Sequence, residues 1–560
     1  MKNAIIRASW SNIARRASYL LGCVVVMTLA ACSKEAPPKT ESTPKTAAVA
    51  DAGSATLSIL ATSDLRDIED VAPLIKAATG VQVSFKFGGT FESTDLVQNG
   101  KAGTDAAWFA NAKYLLSDPA GQARVRQQEK IMLSPLVIGL NASTAKKMRW
   151  DNGAKVSWAD VRTAAKKGEL RYAMSNPASS NQGFMAVMGV AAAVAGKSEA
   201  LGAGDVNREA VREFLAGYKL VGDNSTYLAQ KFKERQGDDI NAFINYESWL
   251  LSMNAKGDLK EPLTLIYPHE GVATADYPLM LLNESKLENY RKVVDYLKTD
   301  AAQNWLAQKT LRRPISPDVM KQNAGLFPVN QLLVELPFST NRSVADSLID
   351  AYLNEFRVPI ASTFVLDTSG SMKDGDRIGK LKASLTDLAG KDSSITGRFA
   401  RLNSREKIWF LPFSYTAGSP TGFVIPEASK TAEKSATFAA IAQYLAGLNA
   451  DGGTALYDAT LVAVRNMAAE REKHPENAYS VVVFTDGKRT QGISMEAFVE
   501  GYNAVFAGQN ASKKIPVFLV LYAEGEARAL QQIADLSGGK VFDARNQPLN
   551  VVFKEIRSYQ

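Results

Sequence analysis

Cysteine and histidine are nearly missing from this sequence: 560 residues hold two of each, Cys23 and Cys32, His269 and His474. Cys23 falls in an amino-terminal segment with the character of a removable secretory signal. A mature chain would then hold no pair for an internal disulfide, and in an oxidising compartment it must rest on its apolar cores. Neither histidine stands near a serine or cysteine in a G-x-S-x-G elbow, and no H-E-x-x-H or P-loop occurs. Both read as surface or turn residues. Net charge is also scarce. The formal +7 leans on Lys2, Arg7, Arg15 and Arg16; without those four of the 65 basic side chains, 61 face 58 acidic ones, a balance of +3. Charge therefore gives no case for a nucleic-acid partner.

What is present suggests two to four domains of ordinary globular make-up, 46% apolar and 22% charged. The basic start is followed by Ala17 to Ala31, mostly apolar and short for a bilayer-spanning helix. The segment closes on Leu29-Ala30-Ala31-Cys32, which resembles the lipobox of bacterial lipoproteins. The resemblance implies lipidation of Cys32, and Ser33 after it implies the outer membrane. The alternative is an ordinary cleavage site that happens to precede a cysteine. Several acyl chains would anchor the protein stably, as one does not. Ser33 to Ser54 has three prolines, no aromatic residue and no periodicity, so it reads as a tether.

From Thr56 strands alternate with helices. LSILATSD (Leu57 to Asp64), VQVSFKFGG (Val81 to Gly89) and DAAWFA (Asp105 to Ala110) are strands with their exit loops, and Ile68 to Ala78 is an amphipathic helix. This order predicts a parallel, doubly wound sheet with ligands at the carboxyl ends of its strands. MLSPLVIGL (Met132 to Leu140), VSWADV (Val156 to Val161), SNPASSNQG (Ser175 to Gly183) and INYESWLL (Ile244 to Leu251) follow. Then come Leu263 to Leu282 and a long helical pattern, Tyr290 to Gln308, closing on Leu311-Arg312-Arg313-Pro314. The succession resembles extracellular solute-binding proteins of the type II periplasmic-binding fold. That family closes two lobes over a small ligand, which implies contacts from Ser63, Asp64, Gly89, Thr90, Ser179, Ser180, Asn181, Tyr246 and Glu247. Ser179 to Gly183 opens a helical pattern and suits an anion or carboxylate; an N-cap with its turn explains it equally. The paired Asp238 and Asp239 read as a polar helix start stabilised by the helix dipole.

The carboxy-terminal third is organised around Val358 to Met372, VPIASTFVLDTSGSM. A buried strand ends in a loop where Asp367, Ser369 and Ser371 alternate, so one carboxylate and two hydroxyls can aim at one point. Hard oxygens suit Mg²⁺, Mn²⁺ or Ca²⁺ rather than zinc or copper. Alone, this is also what any tight turn uses. Two further stretches break the tie: DGGTALYD (Asp451 to Asp458), with Thr454 in a glycine loop, and YSVVVFTDG (Tyr479 to Gly487), a strand ending in Asp486. Together the five residues resemble the metal-ion-dependent adhesion site of von Willebrand factor A domains. The resemblance implies a metal that keeps a coordination position for a partner's Asp or Glu. Asp458 suits a supporting or capping role. Around the motif, Ile378 to Leu388, Ala436 to Leu448, Tyr457 to Glu470, Met495 to Phe506 and Ala527 to Leu536 read as helices, with strands Lys407 to Ser414, Ile515 to Tyr522 and Lys540 to Asp543 and a final helix.

The expected class is α/β, with a signal at 1–31, a tether at 32–55, a solute-binding-like domain at 56–340, a helical connector at 341–357 and an A domain at 358–560. The function expected is a lipid-anchored, extracytoplasmic binding protein. Its A domain would recognise a protein through a divalent metal, and its solute-binding domain would serve as sensor or scaffold. A transporter-linked receptor whose A domain docks on a membrane complex is the first alternative. No catalytic set is expected: aspartate phosphatases want D-x-D-x-T, and Ser369 stands where the second Asp would be. A hydrolase using the metal to activate water is the second alternative.

Overall fold

The computed structural model describes residues 55–559, apart from 197–200, 223, 329–332, 340, 393, 487, 510–512, 522–526 and 546–548. The signal segment, Cys32 and nearly all of the tether lie outside the described residues. Among the described residues no helix is long and apolar enough to cross a membrane.

Three sheets carry the fold. In the first, Thr56–Thr62 pairs in parallel with Gln82–Gly88 on one side and Ala106–Trp108 on the other, and Pro278–Leu281 and Gln127–Lys130 extend it antiparallel. In the second, Tyr172–Ser175 runs parallel to Tyr218–Gly222 and Ala242–Tyr246, while Met132–Asn141 lies antiparallel to Ala242–Tyr246. The purely parallel expectation thus needs correcting. The chain leaves the first sheet from Gln127–Lys130 straight into Met132–Asn141 and returns through Thr274–Ala275 to Pro278–Leu281. With no helical crossover to turn them round, the strands beside these crossings run antiparallel.

Local signals explain the other departures. The helical run from Tyr290 is two helices, Leu287–Leu297 and Asp300–Thr310, because the Thr299 hydroxyl accepts from the Ala302 N–H and caps a new start. INYESWLL is the strand Ala242–Tyr246 followed by the helix Glu247–Lys256. Asp238 and Asp239 do not begin a helix: they sit in a turn after Ser225–Arg235, where Asp239 pairs with Arg235 and Asp238 lies 3.4 Å from Lys260. Charge pairing, not a helix dipole, holds them. The closing Arg-Arg-Pro does structural work at the junction of the lobes. Arg312 is buried and donates to Asp67 at 2.7 Å and to the Asp64 carbonyl at 2.8 Å. Arg313 makes a bidentate pair with Glu247 at 2.6 and 2.7 Å.

A helix, Arg342–Ala351, and one wider turn, Tyr352–Phe356, lead into the third sheet. Its order is Thr421–Val424, Lys407–Phe413, Ile360–Asp367, Ala478–Thr485, Val517–Leu521, Lys540–Asp543, all parallel except the first. Ile360–Asp367 is buried along its whole length. Ala361 and Val365 enter one core while Phe364 and Leu366 enter the other, the period-two pattern of a strand covered on both faces. The antiparallel edge strand Thr421–Val424 and the short helix Ile395–Ala400 carry no strong sequence signal and were not expected.

Candidate functional site

In the third sheet the chain moves from Ile360–Asp367 to Lys407–Phe413 on one side and later to Ala478–Thr485 on the other. The carboxyl end of Ile360–Asp367 is therefore a topological switch point, where diverging loops leave a crevice. Asp367 is fully buried there. Its Oδ1 accepts from the Ser369 N–H and its Oδ2 from the Thr485 hydroxyl, both at 2.8 Å. Ser369 Oγ and Ser371 Oγ stand 3.1 Å apart. The Gly370 N–H donates to the Gly452 carbonyl at 3.0 Å and the Asp451 N–H to the Thr368 carbonyl at 2.7 Å, which brings the Thr454 loop onto the first. Thr454 is buried, with its N–H held by the Thr490 hydroxyl at 2.8 Å. Asp486 is also buried and receives a 2.9 Å hydrogen bond from Arg377. Asp458 instead accepts from the Ile493 N–H at 2.8 Å, bracing the loop after Asp486.

This donor set is hard oxygen throughout, and the chemistry fits Mg²⁺, Mn²⁺ or Ca²⁺. A buried carboxylate is costly unless a cation pairs it or a proton neutralises it. Burial pushes the Asp367 carboxyl up to about 6, further raised by the charge on Asp486, although hydrogen bonds from Ser369 and Thr485 oppose it. Arg377 supplies the only cation contacting Asp486 among the described residues. Sequence reasoning missed Arg377, Thr485 and Thr490. Thr485 lies inside the quoted strand, but an alternating strand gives no sign that its hydroxyl meets Asp367.

The second feature is a cavity of about 630 Å³ between the first two sheets. Ser63, Asp64, Gly89, Thr90, Ser179, Ser180, Asn181 and Tyr246 all line it. Glu247 is not among the lining residues: it is fully buried and held by Arg313 and by the Tyr267 hydroxyl. The lining comes from strand exits and helix starts at the carboxyl ends of both sheets, as the fold dictates. Arg357, Thr396, Phe399, Lys554 and Arg557, from the third sheet's part of the chain, line it too. Nothing in the sequence announced them, since they meet the cavity only through docking.

Comparison with known families accords with these two architectures. Residues 57–311 match the model described as bacterial extracellular solute-binding protein, and residues 363–555 match the von Willebrand factor type A domain. The chain carries a solute-binding domain followed by a von Willebrand factor A domain, and the pair supports a binding role. Several solved structures are similar to the chain. The periplasmic binding protein AfuA from Actinobacillus pleuropneumoniae, with exogenous fructose-6-phosphate bound, is 15% identical over 54% of this chain and 98% of its own, TM-score 0.42. The sulfate-binding protein SubI from Mycobacterium tuberculosis H37Rv is 20% identical over 49% and 92%, TM-score 0.37. Iron-bound HitA from Pseudomonas aeruginosa is 15% identical over 52% and 98%, TM-score 0.38. No curated protein matches.

Proposed function

We propose that the protein is an extracytoplasmic receptor that recognises a protein partner through a divalent metal in its A domain. In this reading Asp367, Ser369, Ser371, Thr454 and Asp486 hold Mg²⁺, Mn²⁺ or Ca²⁺, directly or through water. The bound ion would supply positive charge and one coordination position for a partner's Asp or Glu. The observation that carries it is the meeting of three loops around a buried Asp367, with two serine hydroxyls 3.1 Å apart beside it. Two carboxylates against a divalent ion leave little surplus negative charge, which favours an acidic newcomer.

The solute-binding domain acts as ligand sensor or scaffold, and its polar cavity favours the sensing role. We further propose the boundaries 1–31, 32–55, 56–340, 341–357 and 358–560 for signal, tether, solute-binding domain, connector and A domain. Cys32 would carry the lipid anchor, holding the receptor at the outer membrane.

Partner capture by wild type and Asp367→Ala, each in magnesium and in chelator, is the test. Capture that needs both magnesium and Asp367 is the expected result. Capture indifferent to both treatments would sink the adhesion reading.

A further inference from the structure

The A domain is fastened across the solute cleft, gripping both lobes. On the first lobe, Asp95 accepts from the N–H groups of Ile395 and Thr396 at 2.9 and 3.0 Å and from the Thr396 hydroxyl at 3.1 Å, so it caps the A-domain helix Ile395–Ala400. Phe399 packs edge-on against Phe91 at 5.5 Å, and Ile395 and Phe399 join the lobe's own apolar core. On the second lobe, Asn224 donates to the Tyr559 hydroxyl at 3.1 Å, and Tyr559 meets Tyr227 edge-on at 4.7 Å, beyond the end of the helix Leu549–Ser558. The cavity lies between these two attachments.

Its chemistry is specific. The helices Thr90–Gln98 and Asn181–Ala195 both begin at the cavity, from opposite lobes, and neither has a side-chain cap. Their first-turn N–H groups are left to a ligand, and two convergent helix starts favour negative charge. A third helix, Ser225–Arg235, starts there as well. Arg66 lines the same space with its guanidinium over Phe87, in no ion pair among the described residues. Three buried lining atoms have no hydrogen-bond partner: Ser179 Oγ, Asp64 Oδ2 and, from the third sheet's part of the chain, Asn403 Oδ1. The first can donate to an oxyanion. The third is an amide oxygen and accepts only, and the second does so when ionised, against the burial that raises its carboxyl, so they ask for a ligand that also carries an O–H. Glu92 and Glu555 also face the space, Glu555 already paired with Lys540 at 2.6 Å.

We propose that this cavity is a three-walled site for a small oxyanion that also bears hydroxyl groups, of the phosphate-monoester class, and that the A domain is its third wall. The proposal deepens the sensing role given above and rests on it. Closing on such a ligand ties the lobes together, and each lobe is already tied to the A domain. Solute occupancy and A-domain docking then stabilise one another by the same factor, because linkage between binding events is reciprocal.

Calorimetric titration of the purified chain with glycerol 3-phosphate, inorganic phosphate, sulfate, glycerol and glucose, paired with hydrogen exchange, tests this. Glycerol 3-phosphate should bind about tenfold or more tighter than sulfate, the worth of one hydrogen bond to a charged group. Asp64→Asn should erase that preference, and Ser179→Ala should weaken both anions by about tenfold. Glycerol 3-phosphate should slow amide exchange in Ile395–Ala400. Asp95→Ala should speed that exchange and weaken glycerol 3-phosphate in the same preparation. Binding of glucose or glycerol with no anion binding would overturn the proposal while leaving a working sensor. Anion binding without any change in Ile395–Ala400 exchange would remove the third wall. Silence from all five solutes would count against the sensing role itself.

Discussion

Replacing Asp367 by asparagine should make the metal-free protein more stable and the magnesium-saturated protein less so. Asp367 is fully buried, and burial lifts its carboxyl from 3.8 to about 6. Two pK units correspond to about 3 kcal/mol. The sign follows from proton counting. Between the two values the folded chain holds a proton that the unfolded chain has released, so stability falls as pH rises through this window and stays about 3 kcal/mol lower above it. Asparagine keeps both contacts without the charge: its carbonyl accepts from the Ser369 N–H and its amide donates to the Thr485 hydroxyl. In chelator at about pH 7.5 the variant should melt higher by roughly 6 to 12 °C, at ~2–4 °C per kcal/mol for a domain of this size. The gap should shrink as pH approaches 4. Magnesium reverses the order, adding about 2.7 kcal/mol to wild type at a hundred times its dissociation constant and about 4 at a thousand times, and nothing to the variant. The two melting curves should therefore cross as magnesium is raised. If the variant melts below wild type in chelator, or magnesium lifts both alike, the assignment of Asp367 fails.

Three further outcomes are expected. Arg377→Gln removes the guanidinium that holds Asp486 at 2.9 Å, so magnesium no longer competes with it, and calorimetry should show affinity rising by about tenfold; unchanged or weaker binding would refute the competition. Arg313→Met strands the Glu247 carboxylate in a fully buried site and should cost about 3–5 kcal/mol in denaturant unfolding. Adding Glu247→Gln should recover much of that loss, and a double variant no better than the single would show that packing rather than charge is at stake. Gly183→Ala brings a Cβ to 2.0 Å from the Ser175 carbonyl, so it should lower stability by about 1–3 kcal/mol and weaken any anion held at the start of Asn181–Ala195; an unshifted melting curve would contradict the close packing of that turn.

What the sequence made legible, and what it hid, divide along a physical line. Asp367, Ser369 and Ser371 lie within five residues, and each partner loop carries its own strand or glycine pattern, so the resemblance to A domains could be read from short local stretches where local chemistry alone left a plain turn open. Lys540 to Asp543 was legible too, a short run with Val541 and Phe542 following two glycines. The docking of the A domain had no such signature. Asp95 and Ile395 are 300 positions apart, and each looks like an ordinary helix residue until the other is beside it. The triad in which Glu406 receives Arg357 and Arg557 shows the consequence. Its members come from the connector, a loop and the last helix. A buried carboxylate with two guanidiniums is costly to desolvate, and it is tolerated only where geometry and further hydrogen bonds compensate. Arg557 meets that condition by also donating to the carbonyls of Ala400 and Arg401, at the end of the helix that Asp95 caps. The triad thus sets the last helix against Ile395–Ala400, the two elements through which the A domain reaches the two lobes. A rotation of the A domain that loosened one attachment would strain the other, so in the proposed linkage both attachments would respond together to an event in the cleft.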